Sequence, residues 1–429
     1  VRILHVLSQL PDQTGSGIYL QSLLREAADR GHTQHVVAAA NRDQQVDLPW
    51  AHGVQLVRFG SGGLPFELPG MSDVMPYPST RFADLEGQRL DSYLAAFEEA
   101  LRWGRKVADP ELLHVNHLWL VAALSRRLFS DLPLVASCHG TDLRQAALCP
   151  QHAERIFADC RRIDRVLALT PYQAGELERV YGIDPGRIVV TGAGINTRLF
   201  GPAERARTGE FQAIADDLGL PVPRSGIRVV YVGKLSAAKG VDSLLDAVEL
   251  LTAQGRQFSL LLVGSGGAGA EGQRILQRAE TLCPPVYALG HREQATVADI
   301  LRGSHISVLP SFYEGLPLTV MEALVSGCRL VISDLPNLRG WPDPVLVGED
   351  TIVRVPLPQM LAVDTPDPAG LPGYARRLAD ALARQMDASR YLPLTIQAPA
   401  LVSELGWDGL FRRIEKIYLE THQQRRGGW

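Results

Sequence analysis

Ile227-Arg-Val-Val-Tyr-Val-Gly233 is a run, apolar but for Arg228, that stops at a glycine, and its reading decides the fold. A strand covered by helices on both faces reads as such a run, without polar alternation. Just before it, across 201–226, charged residues, Gly and Pro collect, including Pro221-Val-Pro223, and periodicity lapses. The run therefore restarts a pattern already carried once.

Downstream, further strands are expected at 259–263, 286–289, 306–310 and 330–333, with a weaker one at 351–355. Upstream, the strand runs are 1–7, 33–39, 54–59, 112–116, 134–139, 165–169 and 188–191. Helical periodicity fills 17–30, 88–108, 118–129, 151–162 and 171–181. Strand-helix alternation of this kind predicts an α/β chain of two doubly wound domains. A length of 429 residues also exceeds what one hydrophobic core usually holds.

We expect domains over 1–205 and 206–400, with 401–429 as a C-terminal helical segment. Residues 357–373 read as a Pro-, Asp- and Gly-rich loop, followed by helices at 374–386 and 407–422. Gly406–Tyr418 spaces aromatic and aliphatic residues helically, so it needs an apolar surface to bury against. One insertion, Gly60–Thr80, is unusually long for such a fold. Two readings stand: a surface loop packed by its own side chains, or part of a substrate-binding wall.

Apolar residues make up 46% of the chain, charged residues 21%, and the formal charge is -4, which excludes a disordered chain and argues against nucleic-acid binding. Cysteines 138, 149, 160, 283 and 328 form no C-x-x-C pair and suit free thiols in a reducing compartment. No apolar run approaches the ~20 residues that span a bilayer. A cytoplasmic protein without a transmembrane segment is expected.

Chemistry-bearing residues gather at strand ends. Gly15 and Gly17, after the first strand, would let backbone N–H groups approach an anion at a helix N-terminus, with Ser16 capping or donating. The full G-x-G-x-x-G fingerprint is absent, so an ordinary tight turn is the competing reading. Cys138-His-Gly-Thr-Asp-Leu-Arg144 places His139, Asp142 and Arg144 where open α/β sheets bind ligands. A loop-stabilising His–Asp or Arg–Asp network is the alternative. His114 and His117 lie at another strand end, but their spacing gives no metal signature, and no metal is expected.

In the second half, Gly233-Lys234 and Lys239-Gly240 put two ammonium groups beside a helix N-terminus, suited to a diphosphate. A Gly-rich turn, Val263–Ala268, follows the next strand. In Pro310–Cys328, Pro317 is placed as the first helical residue, Glu314 in the preceding loop and Glu322 inside an apolar helix. A buried carboxylate needs a partner, and sugar or ribose hydroxyls would serve.

These residues resemble the GT-B-fold retaining glycosyltransferase family 4. The matching features are Thr14-Gly-Ser-Gly17, His139-Gly-Thr-Asp142, Gly192-Ala-Gly-Ile195 with Phe200, Gly233-Lys234, Lys239-Gly240, and Glu314 with Glu322 in an E-x7-E arrangement. The resemblance implies two Rossmann-like domains facing across a cleft, the first binding the acceptor and the second the nucleotide sugar. It also implies that the last helix returns to the first domain. Lys234 and Lys239 would hold the donor diphosphate, Glu322 the ribose and Glu314 the sugar, with Gly233, Gly315 and Leu316 beside them. His139 would line the reacting centre, and Gly15–Gly17, Asp142 and Arg144 would belong to the ligand-binding set. Lys234 departs from the family, whose members commonly carry Arg there.

The resemblance further implies a nucleoside diphosphate sugar as co-substrate; a UDP-linked sugar is expected ahead of a GDP-linked one, no tightly bound cofactor is expected, and the lack of a D-x-D run suits cationic side chains in place of a metal. The expected acceptor is a small polar molecule, and a homodimer is left open. A phosphorylase or sugar-phosphate synthase of the same fold is the enzymatic alternative, and a binding-only member the non-enzymatic one.

Overall fold

The computed structural model describes residues 1–11, 14–42, 44–60, 62–72, 75, 77–201, 212–213, 215–217, 226–266, 270–282, 284–339, 348–391 and 398–426. Its packing divides the chain into two units, Val1–Gly194 with Trp407–Trp429, and Ile195–Gly406.

In the first unit, seven parallel strands run β1 (Arg2–Leu7), β2 (Thr33–Asn41), β3 (Gly53–Phe59), β4 (Leu112–Asn116), β5 (Leu134–Ser137), β6 (Arg165–Ala168) and β7 (Ile188–Val190). They lie side by side as β3-β2-β1-β4-β5-β6-β7. This is the order of a dinucleotide-type sheet, reversing direction of growth beside β1. β4 and β5 are buried along their whole length because helices cover both faces. α1 (Gly15–Asp29) starts at Thr14, whose hydroxyl accepts the Gly17 amide.

The second unit repeats the order with β8 (Ile227–Val232), β9 (Phe258–Val263), β10 (Val286–Gly290), β11 (Ile306–Leu309), β12 (Arg329–Ser333) and β13 (Ile352–Val355), arranged β10-β9-β8-β11-β12-β13. All of their pairings are parallel. Both units are thus Rossmann-like, as the sequence leads one to expect.

Several expectations need correction. The strand expected over 134–139 ends at Ser137, so Cys138 and His139 lie in the following turn. α2 (Thr141–Leu148) then begins at once and has no counterpart in the sequence reading. Pro317 caps α3 (Leu318–Val325) instead of opening it. Within 357–373, Met360–Ala362 and Thr365–Pro366 pair antiparallel, and the next helix spans Leu371–Tyr391, beginning earlier and ending later than expected.

The domain limits also shift. Ile195 and Phe200 are buried in the apolar cluster of the second unit, with Leu301 and Leu324, whereas the sequence leads one to expect a first domain over 1–205. Leu405 belongs to that same cluster, so only Trp407 onward returns to the first unit. Most of 202–226 lies outside the described residues, as do Cys283, Gly267 and Ala268.

α4 (Trp407–Arg426) carries the return. Trp407, Leu410, Phe411, Ile414, Ile417 and Tyr418 share one buried cluster with Ile3, Tyr19, Leu23, Leu112, Val135 and Leu167. Each fully buried large apolar side chain stabilises by about 1.5–3 kcal/mol, so this contact is integral to the first unit. Tyr418 adds a 2.6 Å hydrogen bond between its hydroxyl and His114 Nδ1.

Candidate active site

The second unit gathers its candidate residues at the carboxyl ends of β8 and β11. After β8, the Gly233 amide bonds to the Val263 carbonyl at 2.9 Å and the Leu235 amide to Ser265 at 3.1 Å. The turns after β8 and β9 are thereby tied together. A side chain at Gly264 would put its Cβ 1.8 Å from the Gly233 oxygen, and Gly264 has φ +140°, so only glycine fits. Tyr231, fully buried and with its pKa driven up by burial, stays a phenol and donates to the Lys234 carbonyl at 2.7 Å. The backbone under Lys234 is therefore fixed, while its side chain is exposed and has no ion-pair partner among the described residues.

Gly240 brings the next lysine into place. It has φ +67°, and a Cβ there would lie 2.0 Å from the Pro310 carbonyl oxygen. The Phe312 amide also bonds to the Ala238 carbonyl at 3.0 Å. The loop carrying Lys239 is thus held against the loop carrying Glu314. Their side chains meet at 2.8 Å, Lys239 Nζ to Glu314 Oε2. Ser311 donates to the other carboxylate oxygen at 2.7 Å, and Asn337 donates to the Glu314 and Gly315 carbonyls. Gly315 and Leu316 are half-buried in that loop.

Glu322 is different. It lies inside α3, only 9% exposed, with no side-chain partner among the described residues. Burial alone pushes its pKa up to about 7. A carboxyl group kept there without a partner is a strong sign of a ligand that donates hydrogen bonds to it.

In the first unit, His139 is half-buried between Tyr19 and His117, with ring centroids 4.9 and 4.8 Å away. Burial and the neighbouring His117 lower its pKa to about 3, so the ring is neutral. Asn116 lies 3.1 Å from His139 Nε2 through its Oδ1, and its amide group faces the Val6 carbonyl at 3.5 Å. That orientation assigns the ring proton to Nε2 and leaves Nδ1 as an acceptor.

Asp142 is fully buried and accepts the Leu118 and His139 amides, the latter at 2.8 Å. Both oxygens are engaged with backbone, and His117 Nδ1 lies 3.5 Å from Oδ1. This favours the loop-stabilising alternative for Asp142, which shapes the turn that presents His139. The helix cap is Thr14, not Ser16; the Ser16 hydroxyl instead meets His117 Nε2 at 2.9 Å. Gly17 is buried, and a Cβ there would come within 2.6 Å of the Leu10 and Pro11 backbone, whereas Gly15 is open. Arg144 is half-buried on α2 and already has a partner.

The sequence reading missed Asn116, Ser311, Asn337 and the part played by His117. His117 has φ +75°, an uncommon backbone for a non-glycine residue, and it links Ser16 to Asp142. Gln9 was also missed. It is buried and binds the insertion, donating to the Pro69 carbonyl at 2.8 Å and accepting from the Met71 amide at 3.3 Å and the Tyr77 hydroxyl at 3.1 Å. Phe66, Leu68, Met71 and Tyr77 join the main core of the first unit, so the insertion is built into that unit. Among the described residues, no group of three or more His, Cys, Asp or Glu could hold a metal. No helix among them is long and apolar enough to cross a membrane.

Two Rossmann-like units, one carrying paired cations and Glu314 at its strand ends and Glu322 in the helix that follows, match a GT-B nucleotide-sugar transferase. Residues 14–199 match the model "Glycosyltransferase Family 4", and residues 226–362 match "Glycosyl transferases group 1". The chain belongs to glycosyltransferase family 4, whose members move a sugar from a nucleotide-sugar donor to an acceptor. D-inositol 3-phosphate glycosyltransferase of Thermomonospora curvata is 27% identical over 439 residues, covering 95% of this chain and 90% of that protein. D-inositol 3-phosphate glycosyltransferase 2 of Catenulispora acidiphila is 29% identical over 352 residues, covering 76% and 75%. Among solved structures, sucrose-phosphate synthase from Thermosynechococcus elongatus superposes with a TM-score of 0.66 at 19% identity, over 98% of this chain and 99% of that one. Anabaena HepE in complex with UDP-glucose gives 0.65 at 13% identity, over 97% and 99%.

Proposed function

We propose that this chain is a retaining transferase that moves a glycosyl group from a UDP-linked sugar to a small hydroxyl-rich acceptor. The observation that carries the reading is the pair of glutamates: Glu314 held by Lys239 and Ser311, and Glu322 buried without a partner. In this reading Glu322 accepts hydrogen bonds from the ribose and Glu314 from the donor sugar. Lys234 and Lys239 neutralise the diphosphate as the sugar–phosphate bond breaks. The acceptor hydroxyl attacks the anomeric carbon from the face the diphosphate leaves, and a leaving phosphate oxygen takes its proton. Lys239 must then divide its charge between Glu314 and the diphosphate. No metal is needed for this step.

The second unit is the donor side and the first unit the acceptor side, with neutral His139 beside the reacting groups. The relatives' names make a phosphorylated polyol the first acceptor to test. HepE bound to UDP-glucose supports UDP ahead of GDP in the donor. The buried thiols Cys138, Cys149, Cys160 and Cys328 suit a reducing compartment, in keeping with a cytoplasmic enzyme.

A donor-by-acceptor screen read by mass spectrometry tests this. We expect transfer from a UDP-linked sugar with no metal added, and an α-linked product from an α-linked donor by NMR. A β-linked product would rule out retention. Failure of UDP, GDP, ADP and dTDP alike to bind folded protein would remove the donor site.

A further inference from the structure

The first unit holds a cavity of about 250 Å³ that contains none of the candidate transfer residues and is lined by Asp164, Arg165, Arg187, Thr421, Gln424 and Arg425. It lies at the amino-terminal edge of the sheet. Arg165 opens β6 and pairs with Val135 near the start of β5, and Arg187 immediately precedes β7. His139 follows the opposite end of β5, roughly 13 Å along the strand direction. Ligands of open α/β sheets bind at the carboxyl edge, so this cavity is not part of the transfer site.

Its charge is unbalanced. Asp164 is the only carboxylate in the lining, and both of its oxygens are already engaged. Oδ1 accepts from Arg425 at 2.8 and 3.0 Å, and Oδ2 from Arg126 at 3.0 Å and the Leu134 amide at 2.9 Å. Arg165 and Arg187 find only neutral acceptors. Arg165 donates to the Asp164 carbonyl at 2.7 Å and to Gln424 Oε1 at 2.8 Å, and Arg187 to the Ile163 carbonyl at 3.1 Å. Neither has a carboxylate within ion-pair distance among the described residues. A guanidinium has five donors, so most of theirs remain for a ligand. The carboxyl end of α4 opposes an anion with about half a charge, less than the two guanidiniums in excess.

We infer that this cavity binds a small phosphate-type oxyanion. Half-buried guanidiniums in a concave polar site are costly without an anion, and their planar forks suit tetrahedral oxyanions. The volume is below that of a typical cofactor site, so orthophosphate or pyrophosphate fits the class better than a nucleotide.

The test must separate this site from the donor site, which also attracts phosphate. Pyrophosphate and orthophosphate are titrated calorimetrically into the full chain, into Lys234→Gln/Lys239→Gln, and into Arg165→Gln/Arg187→Gln. Thermal unfolding is measured on each preparation with and without the anion. Saturable binding should persist in the lysine variant and weaken at least tenfold in the arginine variant. Anion should still raise the melting temperature of the lysine variant, in which the donor site is disabled, and adding Arg165→Gln/Arg187→Gln to that variant should abolish the rise. Should Arg165→Gln/Arg187→Gln fold poorly, Arg165→Lys/Arg187→Lys keeps the charge and should retain weaker binding. Loss of binding in the lysine variant, or undiminished binding in the folded arginine variant, would overturn the proposal.

Discussion

Glu322 couples proton binding to nucleotide binding. Its folded pKa of about 7 lies above the ordinary carboxylate value of 4.5 because the apolar helix penalises the charge. Between those values the folded chain holds a proton that the unfolded chain has lost, so stability falls as pH rises through this window. The full cost is about 3 kcal/mol and is constant above pH 7. A ribose that donates to the carboxylate favours its ionised form and lowers the pKa again. UDP affinity should therefore rise from pH 6 to 8 beyond what the nucleotide's own titration gives, with proton release visible as a buffer-dependent binding enthalpy. Glu322→Gln should flatten that difference and weaken UDP binding by about 1.5–3 kcal/mol. Glu314→Gln should act differently. It frees Lys239, so UDP affinity should hold or tighten slightly while turnover falls. If Glu314→Gln, and not Glu322→Gln, loses UDP affinity, the roles are reversed.

His139 belongs to the same scale. With a folded pKa of about 3, it carries no charge anywhere in a working pH range. His139→Ala should lower kcat about tenfold to a hundredfold, consistent with one lost hydrogen bond to a charged group, and leave UDP affinity little changed. The wild-type rate profile should show no limb belonging to this ring. A selective loss of UDP affinity would move His139 away from the reacting centre.

At the level of elements, Gln9 is the anchor of the 60–80 insertion. Gln9→Ala would leave the Met71 amide and Tyr77 hydroxyl without their acceptor, costing about 1–3 kcal/mol. We expect faster proteolysis within 60–80 and an altered acceptor KM with an unchanged donor KM. Unchanged acceptor kinetics in a variant that is cut faster would make the insertion purely structural. Apolar runs such as Leu134–Ser137 and Ile227–Val232 are legible because their burial is written in consecutive residues. Glu322 is legible because a carboxylate in an apolar helix is itself anomalous, and Glu314 because it stands in the loop before that helix in the E-x7-E arrangement. Gln9 is not, since its partners lie about sixty residues away and nothing local marks it. Asp142 looks like a ligand in sequence because the amides it accepts are invisible there. α2 is eight residues long and opens directly after Gly140, so its periodicity is too brief to separate from a loop.

Over the whole molecule, the two units should respond to acid in opposite senses. His5 and His114 are fully buried in the first unit, and burial lowers His5 to about 4 and His114 well below its ordinary value. Above pH 6.5 both are neutral whether folded or not. Below it the unfolded chain takes up protons that the folded unit refuses, which removes about 3 kcal/mol per pH unit for the two together. Glu322 works the other way in the second unit over the same range. Calorimetry from pH 7.5 to 5 should therefore show the first unit's transition falling while the second's holds or rises. A first-unit transition that does not move would mean that these histidines are protonated within the fold.

The return of α4 to the first unit has a consequence for biosynthesis. Residues 1–194 leave the ribosome before residues 407–426, yet the surface formed by Ile3, Leu23, Val135 and Leu167 waits for Phe411, Ile414 and Tyr418. About two hundred residues intervene, which at 5–20 residues per second is roughly 10–40 s of translation. Throughout that interval the nascent chain displays an uncovered hydrophobic patch, a docking target for chaperones. Messages truncated just ahead of the Trp407 codon should yield a protein that keeps its second unit but is captured by holdases or aggregates through its first. α4 thus acts as quality control on a unit whose other residues were made some two hundred residues earlier.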